Sequence, residues 1–536
     1  MIDSGLLAPV PASDNGLAVA ADERRPRVLI DLSTSLSLLG QQAIGILRTE
    51  REIACRLLKD PRIVAIPIVF STGRLFALDR DDALKLVGRS SVPETSVARL
   101  HGPGVAPGAA PEPTPMALST WKPMPVRAGL RMFARHAGAA MPASVREDVR
   151  LVLVHSAEIA RKTLRAPKVP APVSAGLRKL ARRAIAATPA VIREDVRLML
   201  IHGRNILTKT LQTREAPDCD EVAKVRDAAR GRCAEIGWPA PGEVFWTCGH
   251  YGAYVPLRLV AEARERLGFS CVAICYDLIR NEHPGLNPEK PHRLLYDCVA
   301  TDLLDASDRI LCISEHTKSR LLEFAAKCDR HAPDSRVLTL GCDAAVIATE
   351  GCLPHELAGR RFALSVGSVE KRKNLGTLVR IWEALSDRDD FDLDLVLVGR
   401  AAEWDDAAVR EVEASPLLGR RIFWFDECSD DVLALLYRQA DALLYPSFAE
   451  GWGLPVSEAL AVGTPVIASH AGAIPEAASG FATLLDPGDE GAWRSAVLDI
   501  SASAPPRLPP VHPPTWDATA TAVVSHITEI AQMRRV

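Results

Sequence analysis

Tyr445-Pro-Ser-Phe-Ala-Glu-Gly-Trp-Gly-Leu-Pro-Val-Ser-Glu458 is the stretch on which the fold assignment turns. It follows Ala442-Leu-Leu-Tyr445, an apolar run of strand length. Gly451 and Gly453 then mark a loop, and Leu454 opens a helical pattern reaching residue 461. A strand that ends in a glycine-bearing loop and runs into a helix is the building unit of a parallel α/β sheet. The glycines let backbone approach a ligand closely, and free N–H groups at the helix start favour anionic oxygens. Glu450 stands in the loop and Glu458 a turn into the helix, so both carboxylates lie near one opening. A carboxylate only accepts hydrogen bonds, which suits a pair of vicinal sugar hydroxyls. The same residues also read as a glycine-rich turn with two solvated glutamates.

Outward from this stretch the pattern repeats. Phe362-Ala-Leu-Ser-Val366, a helix over 375–386, Leu393-Asp-Leu-Val-Leu-Val398, Arg421-Ile-Phe-Trp424, a helix over 429–439 and Pro465-Val-Ile-Ala468 form one strand-helix series. An earlier series runs through Arg27–Ser33, a helix over 46–58, Ile63–Phe70, Gly242–Thr247, Ser270–Tyr276, Arg309–Ser314 and Val337–Gly341. Two such series predict an α/β protein of two doubly wound Rossmann-like domains facing across a cleft. The first spans 27–345 and the second 360–502, after a leader over 1–26 expected to be flexible. A proline-rich bridge, Pro505–Pro514, precedes a closing helix over 515–536. Ligands in such sheets bind beyond the carboxyl ends of the strands, so the cleft is the expected site.

Between about 78 and 242 the text turns rich in Pro, Ala and Arg, with no apolar run that reads as a buried strand. A helical insertion over about 120–215 contains a tandem repeat: Pro125–Leu164 aligns without gaps on Pro172–Leu211, and about 25 of 40 pairs are identical. Each copy reads as a basic amphipathic helix, a proline and a second helix. Arg127, Arg131 and Arg135, with Arg178, Arg182 and Arg183 in the second copy, fall at helical spacing. Peripheral contact with a membrane surface is one reading of that face, and a solvated helix packed on the first domain is the other.

The 536 residues exceed one core, and a net charge of −3 offers no global attraction for nucleic acid. Twelve cysteines show neither a CxxC pair nor a zinc spacing, and several lie in apolar runs, as reduced thiols do. A reducing, cytoplasmic location is expected, at the inner face of a membrane if the acceptor is lipid-linked.

A second segment, Val366-Gly-Ser-Val-Glu-Lys-Arg-Lys-Asn374, follows the first strand of the second series. Adjacent cations at a strand end suit a diphosphate: Arg372 offers a fork for phosphate oxygens and Lys373 a point charge. A solvated basic turn is the alternative.

Together the two segments resemble the retaining nucleotide-sugar glycosyltransferases of family 4, which have the GT-B fold. That family's glutamate pair stands as Glu450 and Glu458, and its phosphate loop as Gly367-Ser-Val-Glu-Lys-Arg-Lys-Asn-Leu375. The likeness extends through Leu395–Gly399, Ala461–Ala468 and Gly472-Ala-Ile-Pro-Glu476, covering most of 240–490. In the first domain, Gly40-Gln-Gln-Ala-Ile-Gly-Ile-Leu-Arg48 resembles the glycine loop that approaches donor phosphate and acceptor, which brings in Gly45 and Arg48. Tyr276-Asp-Leu-Ile-Arg-Asn-Glu-His-Pro284 resembles a segment that usually begins His-Asp, so Asp277 carries that expectation and Tyr276 replaces the histidine. Ser368 stands where many relatives have arginine.

The resemblance implies a hexosyl transfer, mannosyl favoured, from a GDP- or UDP-linked sugar to a glycan or lipid-linked oligosaccharide acceptor. Bacterial surface polysaccharide synthesis is the implied setting. Arg372, Lys373 and the amides around Gly451–Gly453 would stabilise the leaving diphosphate, while Glu450 holds the donor sugar and Glu458 the ribose. Trp452, Leu454, Gly367, Ser368 and Gly399 complete the expected donor pocket. No metal or other cofactor is expected, because two cations and a helix end would meet the diphosphate charge. Asp392-Leu-Asp394 reads as a strand start rather than a manganese site. On this reading Arg372→Ala or Glu450→Ala would abolish transfer and leave folding intact. A non-catalytic scaffold built on the same fold and a nucleotide-sugar epimerase are the competing readings.

Overall fold

The computed structural model describes residues 25–38, 45–71, 74–88, 97–98, 234–251, 254–286, 293–342, 352–402 and 405–533. Most of the expected leader, the residues 39–44 of the glycine loop and the whole duplicated insertion lie outside the described residues.

Two sheets organise the chain. The first comprises β1 (Arg27–Asp31), β2 (Val64–Ser71), β3 (Arg74–Ala77), β5 (Ala234–Ile236), β6 (Val244–Thr247), β7 (Ser270–Cys275), β8 (Arg309–Cys312) and β9 (Asp334–Val337). The second comprises β4 (Val97–Ala98), β10 (Phe362–Val366), β11 (Asp394–Val398), β12 (Ile422–Glu427), β13 (Ala442–Tyr445), β14 (Val466–Ser469) and β15 (Ala482–Leu485). Their spatial orders are β5-β3-β2-β1-β6-β7-β8-β9 and β15-β14-β13-β10-β11-β12-β4. The strands are parallel apart from β3 and β5 at one edge and β4 at another. This is the GT-B architecture of two Rossmann-like units.

Central strands are buried on both faces, so they read as unbroken apolar runs: Val28, Leu29 and Ile30 are all within 2% exposure. That is why β10, β11 and β13 stand where the sequence predicts them. Edge strands obey a different rule. β9 is Asp-Ser-Arg-Val with alternating burial and ends at Val337, so Leu338 and Leu340 of the expected Val337–Gly341 mark its buried exit. β5 is a three-residue edge strand paired antiparallel to β3, and Val97–Ala98 crosses to pair antiparallel with β12. Neither is a buried strand with an apolar run of its own, and a short edge strand needs none.

The closing helix Trp516–Met533 packs on the first sheet, with Trp516, Val523 and Ile527 in one cluster with Val28, Ile30 and Trp246. Arg309 on β8, wholly buried, holds that helix through Glu529 at 2.7 Å. The chain therefore returns to its first domain after completing the second.

In each sheet the chain reverses its direction of travel at the centre. The switch falls between β1 and β6 in the first and between β10 and β13 in the second. Loops leaving these neighbours diverge, opening a crevice at the carboxyl ends. Gly367–Asn374 leaves β10 and Pro446–Gly453 leaves β13, which is why the two sequence segments meet.

Candidate active site between the two sheets

Three of the predicted residues form one ion cluster. Glu450 Oε2 lies 2.7 Å from Arg372 Nη1, and its Oε1 lies 2.6 Å from Lys373 Nζ. Arg372 also donates to the carbonyl of Ala449 at 2.9 Å and to Glu370 at 2.7 Å. Lys373 donates to the Tyr445 hydroxyl at 2.9 Å. Burial disfavours the Glu450 carboxylate, but Arg372 and Lys373 outweigh it and hold the group down at about 2. Burial likewise opposes the charge on Arg372, and Glu450 and Glu370 more than compensate, so its pKa is raised. For Lys373 burial prevails and lowers the ammonium, with Arg372 adding to that effect against the pull of Glu450. In the ligand-free protein each of the two cations is thus already countered by a carboxylate.

The loop geometry depends on glycine at two places. Gly399, at φ 145°, packs on the phosphate loop so tightly that a Cβ would stand 2.2 Å from the Gly367 carbonyl oxygen. A Cβ on Gly451 would stand 2.1 Å from the Tyr276 carbonyl oxygen of the first domain. Asn374, at φ 56°, ties the loops together by donating to the carbonyls of Pro446 at 3.2 Å and Pro487 at 2.9 Å. Ser368 donates to Glu370 at 2.9 Å.

Asp277 lies beside Gly451, exposed to solvent, and accepts from the Ile279 amide at 3.0 Å. Trp452 packs against apolar clusters of both domains, and Leu454 against the first. Gly453, at φ 119°, precedes the helix Leu454–Ala461. Glu458 stands apart from Glu450: it pairs with Arg48 of the first domain at 3.0 Å and accepts from the Tyr437 hydroxyl at 2.7 Å. Gly45, at φ 52°, opens the helix Gly45–Leu57, and a Cβ there would meet no described atom within 4 Å. Asp394 is held by Arg360 at 2.8 Å and Arg421 at 2.6 Å, as a strand start would be. Among the described residues no cluster of His, Cys, Asp and Glu has metal-binding proximity.

The sequence reading missed Glu370, Tyr445 and Tyr437, and a buried acid pair across the cleft. Glu50 accepts from the Ser35 amide at 2.6 Å, and Asp31 accepts from Ser33 and Thr247. Burial pushes Glu50 up to about 8, with the nearby Asp31 adding, and pushes Asp31 up to about 6. A signal for Glu50 existed: it falls in the apolar stripe Leu47, Glu50, Ile53, Ala54, Leu57. Folding raises this pKa, so the folded state binds the extra proton and stability declines as pH climbs from about 4.5 toward 8. Glu50→Gln keeps the Ser35 bond and removes the titration. Melting temperatures should rise in this variant by more at pH 8 than at pH 5; equal shifts at both would mean Glu50 is ionised throughout.

Residues 355–507 match the family model of glycosyl transferases group 1. Curated relatives include O-antigen chain mannosyltransferase B of Escherichia coli, 30% identical over 203 residues, which are 36% of this chain and 52% of that protein. O-antigen chain mannosyltransferase RfbU of Salmonella typhimurium is 32% identical over 140 residues, 26% of this chain and 38% of that one. D-inositol 3-phosphate glycosyltransferase of Mycolicibacterium vanbaalenii is 28% identical over 245 residues, 42% and 52% of the two chains. The chain thus spans about half the length, or less, of these relatives. Among solved structures, sucrose-phosphate synthase from Thermosynechococcus elongatus aligns at 21% identity and a TM-score of 0.39, covering 54% of this chain and 71% of that one.

Proposed function

We propose that this chain is a retaining glycosyltransferase of family 4 that moves a hexosyl group, mannosyl favoured, from a nucleoside diphosphate sugar to a glycan acceptor. Bacterial surface polysaccharide synthesis is the setting that the mannosyltransferase relatives favour, and we place the chain at the cytoplasmic face of a membrane as part of this proposal. No described helix is long and apolar enough to cross a membrane.

The observation that carries this reading is Glu450 bridging Arg372 and Lys373 at the switch point of the second sheet. In the free protein the carboxylate occupies the cations. A diphosphate arriving there takes over Arg372 and Lys373, which releases Glu450 to accept from the donor sugar's hydroxyls. Glu458, hydrogen-bonded by Tyr437, is set to accept from the ribose. As the anomeric C–O bond breaks, negative charge grows on the leaving phosphate, and the cations with the amides about Gly451–Gly453 stabilise it. In this same-face reaction the leaving phosphate oxygen takes the incoming hydroxyl's proton. Asp277, which lies beside Gly451, orients that hydroxyl in this proposal. These side chains do the work without a resident metal or cofactor.

Thermal shift against GDP, UDP, GDP-mannose and UDP-glucose, each with and without magnesium, tests the reading. Stabilisation by one base, with slow release of nucleoside diphosphate from its sugar, is the expected result. Binding without any release would favour a non-catalytic scaffold, and no binding at all would sink the proposal.

A further inference from the structure

Glu476 lies on the short helix Ile474–Ala478 of the second domain, yet its carboxylate is spent on the first. Oε2 accepts from the Glu315 amide at 2.8 Å and Oε1 from the His316 amide at 2.7 Å. These are the first two N–H groups of the 13-residue helix Glu315–Lys327, and Ser314 Oγ takes the third, from Thr317, at 2.9 Å. A helix start has amides without internal partners and a partial positive charge, so a carboxylate accepting two of them is held firmly. Here the cap is supplied across the cleft.

The same segment grips Glu450. The Ala473 amide donates to the Glu450 carbonyl at 3.0 Å, and a Cβ on Gly472 would stand 2.4 Å from that oxygen. One residue on, Gly451 closes on the Tyr276 carbonyl, and Thr317 donates to both the Tyr276 and Gly451 carbonyls at 3.3 Å. Trp452 then spans the cores of both domains. The helix start in the first domain is therefore linked through Glu476 and Ala473 to the backbone of Glu450.

We infer that Glu476 is a positioning residue that couples closure of the two domains to the placement of Glu450. When the domains part, Glu476 loses two charge-assisted hydrogen bonds, and the segment that fixes the Glu450 carbonyl loses its anchor. Closure thereby assembles the site, and an open molecule holds nucleotide without transferring sugar. For turnover this rests on the glycosyltransferase reading; for closure it does not.

The variant Glu476→Gln keeps the size of the side chain but offers one acceptor oxygen to two donors. Small-angle scattering of the ligand-free full chain should show a larger radius of gyration than wild type. Gly451→Ala, which wedges a methyl against the Tyr276 carbonyl, should expand the molecule as well. GDP and UDP dissociation constants of Glu476→Gln should stay within about twofold of wild type. Its release of GDP or UDP from GDP-mannose or UDP-glucose should fall by about tenfold or more in kcat, with KM little changed. Should Glu476→Gln melt without cooperativity, Glu476→Asp carries the same measurements with the charge retained at the helix end. Wild-type radii in these variants, or a loss confined to nucleotide affinity, would overturn the inference. If wild type binds neither nucleotide, the donor reading fails, while scattering still decides the coupling.

Discussion

Glu450→Ala is expected to lose nucleotide-sugar turnover by about a thousandfold and to destabilise the second domain by about 3–5 kcal/mol. The two effects share one cause. Alanine leaves Arg372 and the buried Lys373 side by side without their shared carboxylate, with Glu370 and Asp277 left to balance Arg372. Removing one partner of a buried pair costs more than the pair contributes, because the remaining charge keeps its desolvation penalty. The melting temperature should fall by roughly 10 °C. Glu450→Gln separates charge from hydrogen bonding: equal losses in both variants would place the effect on the ion pair, and a milder loss on the sugar contact. Acid supplies a further check. Folding depresses this carboxyl from 4.5 to about 2, so its contribution is present above 4.5 and is lost as pH falls toward 2. That contribution is about 3 kcal/mol, and the alanine variant should lack this part of the acid transition. A variant with wild-type melting would contradict the buried cluster. The sequence reading expected Glu450→Ala to leave folding intact; its pairing with Arg372 and Lys373 is the reason a loss of stability is expected instead.

Arg372→Ala is expected to lower kcat by about 10²–10³ while leaving the melt close to wild type. Its fork is the group aimed at charge that develops only as the leaving phosphate departs, so kcat should move more than the nucleotide's dissociation constant. Lys373 stays within 2.6 Å of Glu450 in this variant, which is why the fold survives better than in Glu450→Ala. Arg372→Lys should recover only part of the loss. One ammonium cannot reach Ala449, Glu450 and Glu370 at once as the planar fork does. Steady-state release of nucleoside diphosphate measures all three. Full activity in Arg372→Ala would remove it from the site.

Where a residue's role rests on neighbours close in sequence, it was legible. Glu450 and Arg372 lie in loops that leave β13 and β10, and apolar runs ending at Tyr445 and Val366 mark both strands. Parallel strands buried on both faces advertise themselves as such runs. The short edge strands β5 and β4 do not, since three or two residues paired at an edge leave no periodicity to read.

Sequence alone determined that the chain folds as two strand-helix series, and that acids and cations gather at strand ends in the second. Only the tertiary structure decided who neutralises whom. Arg48 meets Glu458 across 410 positions, and Glu476 meets the amides of Glu315 and His316 across 161 and 160. The reason is physical: local periodicity reports which face of an element is buried, whereas an ion pair between domains depends on how two finished sheets dock. No stretch of chain encodes that docking by itself, because its free energy is shared among Trp452, Gly451, Thr317 and the carboxylates on both sides of the seam.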